Sequence, residues 1–211
     1  MLRLPRTLLS LLPLALLAQA PAPTPTAAPT LAPAPATVPV RIETSAGSIT
    51  IALETERAPV TAGNFLRYVD GKKLDSAAFY RAVKVGTGYG LVQGGTRNDR
   101  ERTLPPIAHE PTSQTGLSHV DGAISMARAA PGSANGDFFI TVGDLKSMDA
   151  NPAAPGDNLG FAVFGRVTEG MDVVRRILEA PTSPTAGEGA MKGQMLAPEV
   201  KILTARRVAA P

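Results

Sequence analysis

From Val40 onward the apolar content of the chain comes in short runs, each with Gly, Pro, Asn or Asp within three residues of an end: 40–44, 48–53, 78–83, 91–93, 124–127, 138–142, 161–167 and 200–205. Runs of that length, rich in β-branched and aromatic residues and punctuated by turn chemistry, argue for an antiparallel barrel or sandwich. The first two alternate apolar with polar residues on either side of Ser45-Ala46-Gly47, a β-hairpin pattern. Two segments break the strand rhythm. Ala62, Phe65, Leu66 and Val69 recur at helical spacing between Pro59 and Gly71, which predicts an amphipathic helix with proline at its start and glycine past its end. Met171, Val174, Ile177 and Leu178 predict a second, preceded by Glu169-Gly170. The Pro/Gly-rich run 180–193 reads as a long loop.

The 211 residues divide into three parts. Residues 1–20 carry Arg3 and Arg6, then a leucine-rich run, then Ala18-Gln19-Ala20, the pattern of an export signal too short to span a membrane. Residues 21–37 are rich in Pro, Ala and Thr and uncharged, a composition that cannot bury enough surface to order itself and suits a semi-rigid linker. Residues 38–208 form the domain, long enough for one well-buried core. Removal of the leader leaves 19 basic against 18 acidic residues, and no basic stripe is interleaved with aromatics. Nucleic acid is therefore not an expected partner. An export signal places the protein in the periplasm or outside the cell, without stable membrane insertion once the signal is removed. With no cysteine, the fold must stand on its core.

Between Gly122 and Ile140 two strand-like runs flank a loop of small residues, Pro131-Gly132-Ser133-Ala134-Asn135-Gly136, beside the pair Phe138 and Phe139. Exposed backbone next to aromatic side chains is a surface on which an extended peptide can lie. Signatures of nucleophilic, phosphate-binding or zinc chemistry are missing: there is no G-x-S-x-G, P-loop or H-E-x-x-H. Gly86 to Gly90 is a glycine connection without a following helix, and His109 and His119 read as structural. No cofactor and no metal is expected.

Taken in order, Asn64-Phe65, Phe79-Tyr80-Arg81, Gln93-Gly94-Gly95, Ser125-Met126-Ala127, Phe138-Phe139-Ile140 and the run from Val163 to Met171 resemble the cyclophilin family of peptidyl-prolyl isomerases. The resemblance implies a mainly β fold, a closed eight-stranded antiparallel β-barrel with two capping α-helices, and a monomer that binds proline-containing polypeptide segments in a groove on its outside. It implies Arg81, Gln93 and Phe139 as catalytic residues. For substrate binding it implies Tyr80, Leu91, Ala127, Arg128, Ala129, Asp137, Met148 and Phe161, with Ala127 to Ala129 as the edge that hydrogen-bonds the peptide. Four positions depart from the family pattern. Tyr80 stands for a histidine, Asp137 for a glutamine, Phe161 for a histidine or tyrosine, and Ser147 lies nearest the place of a tryptophan; Tyr89 is the only candidate for a missing pocket phenylalanine. These departures leave open a catalytically weak peptide-binding module on the same barrel.

Overall fold

The computed structural model describes residues 36–153 and 155–209. The export signal and the linker up to residue 35 lie outside the described residues. The hairpin expected at the start of the domain is formed by β1 (Val38–Thr44) and β2 (Gly47–Leu53), with Thr44 opposite Gly47. After α1 (Pro59–Asp70) come β3 (Ala78–Gly86) and β4 (Tyr89–Gly95), a short α2 (Thr112–Thr115), β5 (Ala123–Met126) and β6 (Asp137–Val142). The chain ends through β7 (Ala162–Glu169), α3 (Met171–Glu179), the two-residue β8 (Thr182–Ser183) and β9 (Met195–Arg207).

Eight strands close on themselves in the order β1-β2-β7-β5-β6-β4-β3-β9, because β9 pairs back onto β1. Closure leaves no open edge on the ring; β8 merely adds to β9. Alternation decides what fills the interior: Val40 and Ile42 are fully buried while Arg41 between them is exposed. Phe138 anchors the aromatic centre, edge-on to Phe65 at 5.3 Å and to Phe79 at 5.7 Å.

The helices seal the barrel. Pro59 starts α1 as expected, but its N-terminus is satisfied from afar: the buried Glu110 carboxylate accepts from Val60 N (3.1 Å) and from both N (2.6 Å) and Oγ1 (2.5 Å) of Thr61. α3 begins after Gly170, whose φ of +87° suits glycine, and a Cβ there would stand 2.3 Å from Ser48 O.

Three expectations need correction. A third, four-residue helix joins the two expected ones. α3 buries Val173 with Val174, Ile177 and Leu178, whereas Met171 is only half-buried. Finally, the 180–193 segment is not simply a loop, since it contains β8 and a 3-10 turn at Gly189–Met191, and the last strand starts at Met195 rather than Val200.

Candidate functional site

On the outer face of β3, β4 and β6 lies an open cavity of about 760 Å³. Tyr80, Arg81, Leu91, Gln93, Ala127, Arg128, Ala129, Asp137, Phe139, Met148 and Phe161 all line it, so every catalytic and substrate-binding residue that the resemblance implies converges there. Tyr89 does not line it. Its ring covers Gly143 and its hydroxyl donates to Asp144 O, so it fills no pocket position. Asn135, Gln194 and Met195 sit at the same place in the fold without having been foreseen: Asn135 and Met195 line the cavity, and Gln194 reaches Arg81.

The register slips between Phe79 and Arg81, a bulge that lets the consecutive Tyr80 and Arg81 both face the cavity. Arg81 is then held by two amides. Its Nη1 donates to Gln93 Oε1 (2.9 Å), and its Nε and Nη2 donate to Gln194 Oε1 at 2.9 and 2.6 Å. Burial pushes the Arg81 pKa down from its ordinary value. Arginine stays charged nonetheless.

From Gln93 a chain of hydrogen bonds runs outward. Gln93 Nε2 donates to Tyr80 Oη (2.7 Å), Tyr80 Oη donates to Asp137 Oδ2 (3.2 Å), and Arg97 N donates to Asp137 Oδ1 (2.7 Å). The Arg97 guanidinium stacks over the Tyr80 ring at 4.7 Å and pairs with Glu199. Burial raises the Asp137 pKa above the ordinary carboxylate value, against the pull of the Arg97 and Tyr80 hydrogen bonds. Burial and the neighbouring Asp137 charge likewise raise that of Tyr80. Two departures from the family pattern are thus partners of one another.

The floor is Phe139. His119 stacks beneath it almost parallel, with ring centres 5.8 Å apart, and Phe161 meets it edge-on at 5.5 Å. His119 is fully buried, bonded through Nδ1 to Asp149 and through Nε2 to Ser125 Oγ at 3.0 Å. Serine, histidine and aspartate in a row invite a hydrolase reading, but Ser125 is fully buried and cannot reach a substrate. Burial lowers the His119 pKa, outweighing the Asp149 carboxylate that favours the charged form.

Arg128 and Asp137 do not pair with each other. Arg128 instead clamps the far wall, donating to Gly160 O (2.9 and 2.6 Å) and to both carboxylate oxygens of Asp157 (2.8 and 2.9 Å), with its guanidinium over the Phe161 ring. The Arg128 hydrogen bonds hold the Asp157 carboxyl down at about 2. The Ala127–Ala129 edge is partly occupied: Ala127 N donates to Asp137 O (2.9 Å) and Ala129 N to Ser133 Oγ (3.1 Å). Those two donors are not free for a peptide.

Residues 39–207 match the family described as cyclophilin type peptidyl-prolyl cis-trans isomerase. A peptidyl-prolyl cis-trans isomerase of Acinetobacter baylyi is 36% identical over 148 residues, covering 68% of this chain and 73% of the relative. One of Streptomyces antibioticus is 37% identical over 151 residues, 70% of this chain and 87% of its own. Among solved structures, a cyclophilin type isomerase of Cryptosporidium parvum superposes with a TM-score of 0.67 at 19% identity, covering 83% of this chain and 100% of that one. The same protein in the presence of the dipeptide Ala-Pro gives 0.65 at 20% identity, covering 82% and 99%.

Proposed function

The chain belongs to the cyclophilin-type peptidyl-prolyl cis-trans isomerase family, and on that premise we propose that it accelerates X-Pro rotation in extracytoplasmic polypeptides at the cavity around Arg81. The observation that carries the reading is the constrained guanidinium of Arg81, with Gln93 on one side and Gln194 on the other.

Rotation about an X-Pro bond faces a barrier of roughly 18 to 20 kcal/mol because amide resonance must break. Unaided, it takes on the order of tens to hundreds of seconds. As the bond twists, the prolyl nitrogen becomes pyramidal and gains a lone pair. A donor aimed at that nitrogen stabilises the twisted state more than either planar one. Arginine carries five N–H groups, and the three that Arg81 gives to glutamine oxygens leave two for the substrate. Such a charge-assisted bond contributes about 1.5 to 3 kcal/mol, or roughly ten- to a hundred-and-fifty-fold in rate.

Phe139, Leu91, Met148 and Phe161 supply the apolar surface for the proline ring. Gln93 holds Arg81 through its oxygen and keeps one amide hydrogen for the peptide carbonyl. An exported enzyme of this kind serves folding, since proline isomerisation is slow enough to limit it. The leader at residues 1–20 supports that location, and mass spectrometry of the mature N-terminus tests it.

The decisive experiment is cis-trans exchange in a proline peptide with wild type and Arg81→Ala. A loss of most of the acceleration is expected; equal rates would remove the mechanism. A second reading, peptide binding without catalysis, draws on the three amide contacts that already occupy Arg81. Peptide affinity with no acceleration by wild type would select it.

A further inference from the structure

The cavity continues past Arg81 onto an apolar shelf that the rotation step does not use. Val83 lies on β3 two residues past Arg81, Met195 is the β9 partner of Arg81, and Met191 projects from the 3-10 turn; all three line the cavity. Met191 is 40% exposed, one of few large apolar side chains so uncovered among the described residues. Methionine is unbranched and polarisable, so a methionine-lined surface adapts to apolar side chains of different shape.

The strand order measures how far this shelf lies from the proline floor. Phe139 is on β6, and β4, β3 and β9 follow it in the sheet. Neighbouring strands are about 4.8 Å apart, so three spacings from β6 to β9 make about 14 Å. Extended chain covers roughly 3.3 to 3.6 Å per residue, which makes that span about four residues. The Ala127–Ala129 edge follows β5, on the opposite side of β6.

We propose that this shelf is a second subsite, which takes a large apolar side chain of the substrate about three to five residues from the proline, on the side away from the Ala127–Ala129 edge. The assignment rests on the isomerase reading of the groove. Its occupant is an unfolded segment: leucine and phenylalanine are among the residues most often buried in a finished protein, and are more available before folding is complete. The shelf thereby selects chains that still need isomerisation.

The full chain is tested with two series of proline peptides, carrying leucine or serine at the third, fourth or fifth residue before the proline or after it. Leucine in one of the two directions should lower KM about five- to tenfold relative to serine, as partial burial of that side chain implies, with kcat little changed. Met191→Ser should reduce the leucine preference to about twofold or less. Equal KM values at all positions overturn the proposal, as do equal gains in both directions or an undiminished preference in Met191→Ser. If no peptide is isomerised, the catalytic reading fails alone. Dissociation constants of the same fluorescent peptides then decide the shelf by the same criteria.

Discussion

At the scale of single residues, hydrogen-bond polarity explains why Tyr80 and Asp137 occur together. Arg81 only donates, so Gln93 must turn its oxygen toward it and its NH₂ away; Asp137 only accepts when ionised. A hydroxyl that accepts from one side and donates to the other is what joins them, and Tyr80 places one there. Tyr80→Phe removes that bridge and leaves the Gln93 amide free to turn, which should lower kcat/KM for a proline peptide about tenfold, equivalent to about 1.4 kcal/mol. Most of the loss is expected in kcat, because the apolar floor is untouched; a loss confined to KM would refute the bridging role. Gln194→Ala tests the other support of Arg81, and a fall of similar size in steady-state kcat is expected, with little change for a peptide's dissociation constant. The residues that the sequence singles out lie in short motifs with strong types. Gln194 carried no such signal, since its partner is 113 positions away, and His119 could be read as structural but not placed under Phe139.

At the scale of elements, the runs legible in the sequence are those whose alternation marks a buried face, and the missed ones lack it. The first half of β9 is Met195 to Glu199, interrupted by Pro198 and largely exposed, so no apolar pattern announced it. α2 has four residues and β8 two, too short to show a period. The bulge that turns Tyr80 and Arg81 to one side is a property of pairing with β4 and has no local mark. The N-terminus of α1 is a similar case, since Ala58 offers no side-chain cap and Glu110 does the work from 49 and 50 positions away. Glu110→Gln would set an NH₂ against one of its three donors, and leaving a buried group unsatisfied costs about 1 to 3 kcal/mol. The thermal midpoint should fall by roughly 3 to 10 °C for a domain of this size, read by calorimetry, and an unchanged midpoint would count against the cap. Arg128→Ala should free the wall at Asp157 and Gly160, raising KM more than it lowers kcat and speeding proteolytic nicking between residues 149 and 160; a rigid, protease-resistant wall in that variant would show that the clamp is dispensable.

For the whole molecule, closure of the ring by β1 and β9 puts the apolar content inside and leaves function to the outer face. The order of short runs suggested a barrel or sandwich; the six motifs carried by the resemblance selected the closed barrel, because pairing between strands far apart in sequence is not written in either one. Closure also buries titratable groups, which makes stability depend on pH. His119 is fully buried between Asp149 at Nδ1 and Ser125 Oγ at Nε2; an ionised carboxylate only accepts, so in the neutral ring Nδ1 donates to Asp149 and Nε2 accepts from Ser125. Its folded pKa lies below the ordinary value of 6.5, so between that folded value and 6.5 the unfolded chain binds the proton more readily. Stability from His119 is therefore complete above pH 6.5 and is lost as pH falls toward the folded pKa. Asp149 acts in the same direction but lower: burial raises its pKa, the bonds from Ser118 and His119 outweigh it, and the net lowering confines its effect to the range at and below 3.8. Asp137, whose pKa is raised, works against His119, since its ionised form is disfavoured in the fold and acidification relieves it. The thermal midpoint of wild type should accordingly fall between pH 7 and 5, and His119→Gln, which has no proton to take up, should flatten that slope while keeping a lower midpoint at pH 7. Parallel slopes in the two proteins would assign the acid sensitivity elsewhere. Because His119 lies directly under Phe139, the same variant should raise KM for proline peptides at pH 7, linking the buried pair to the groove it supports.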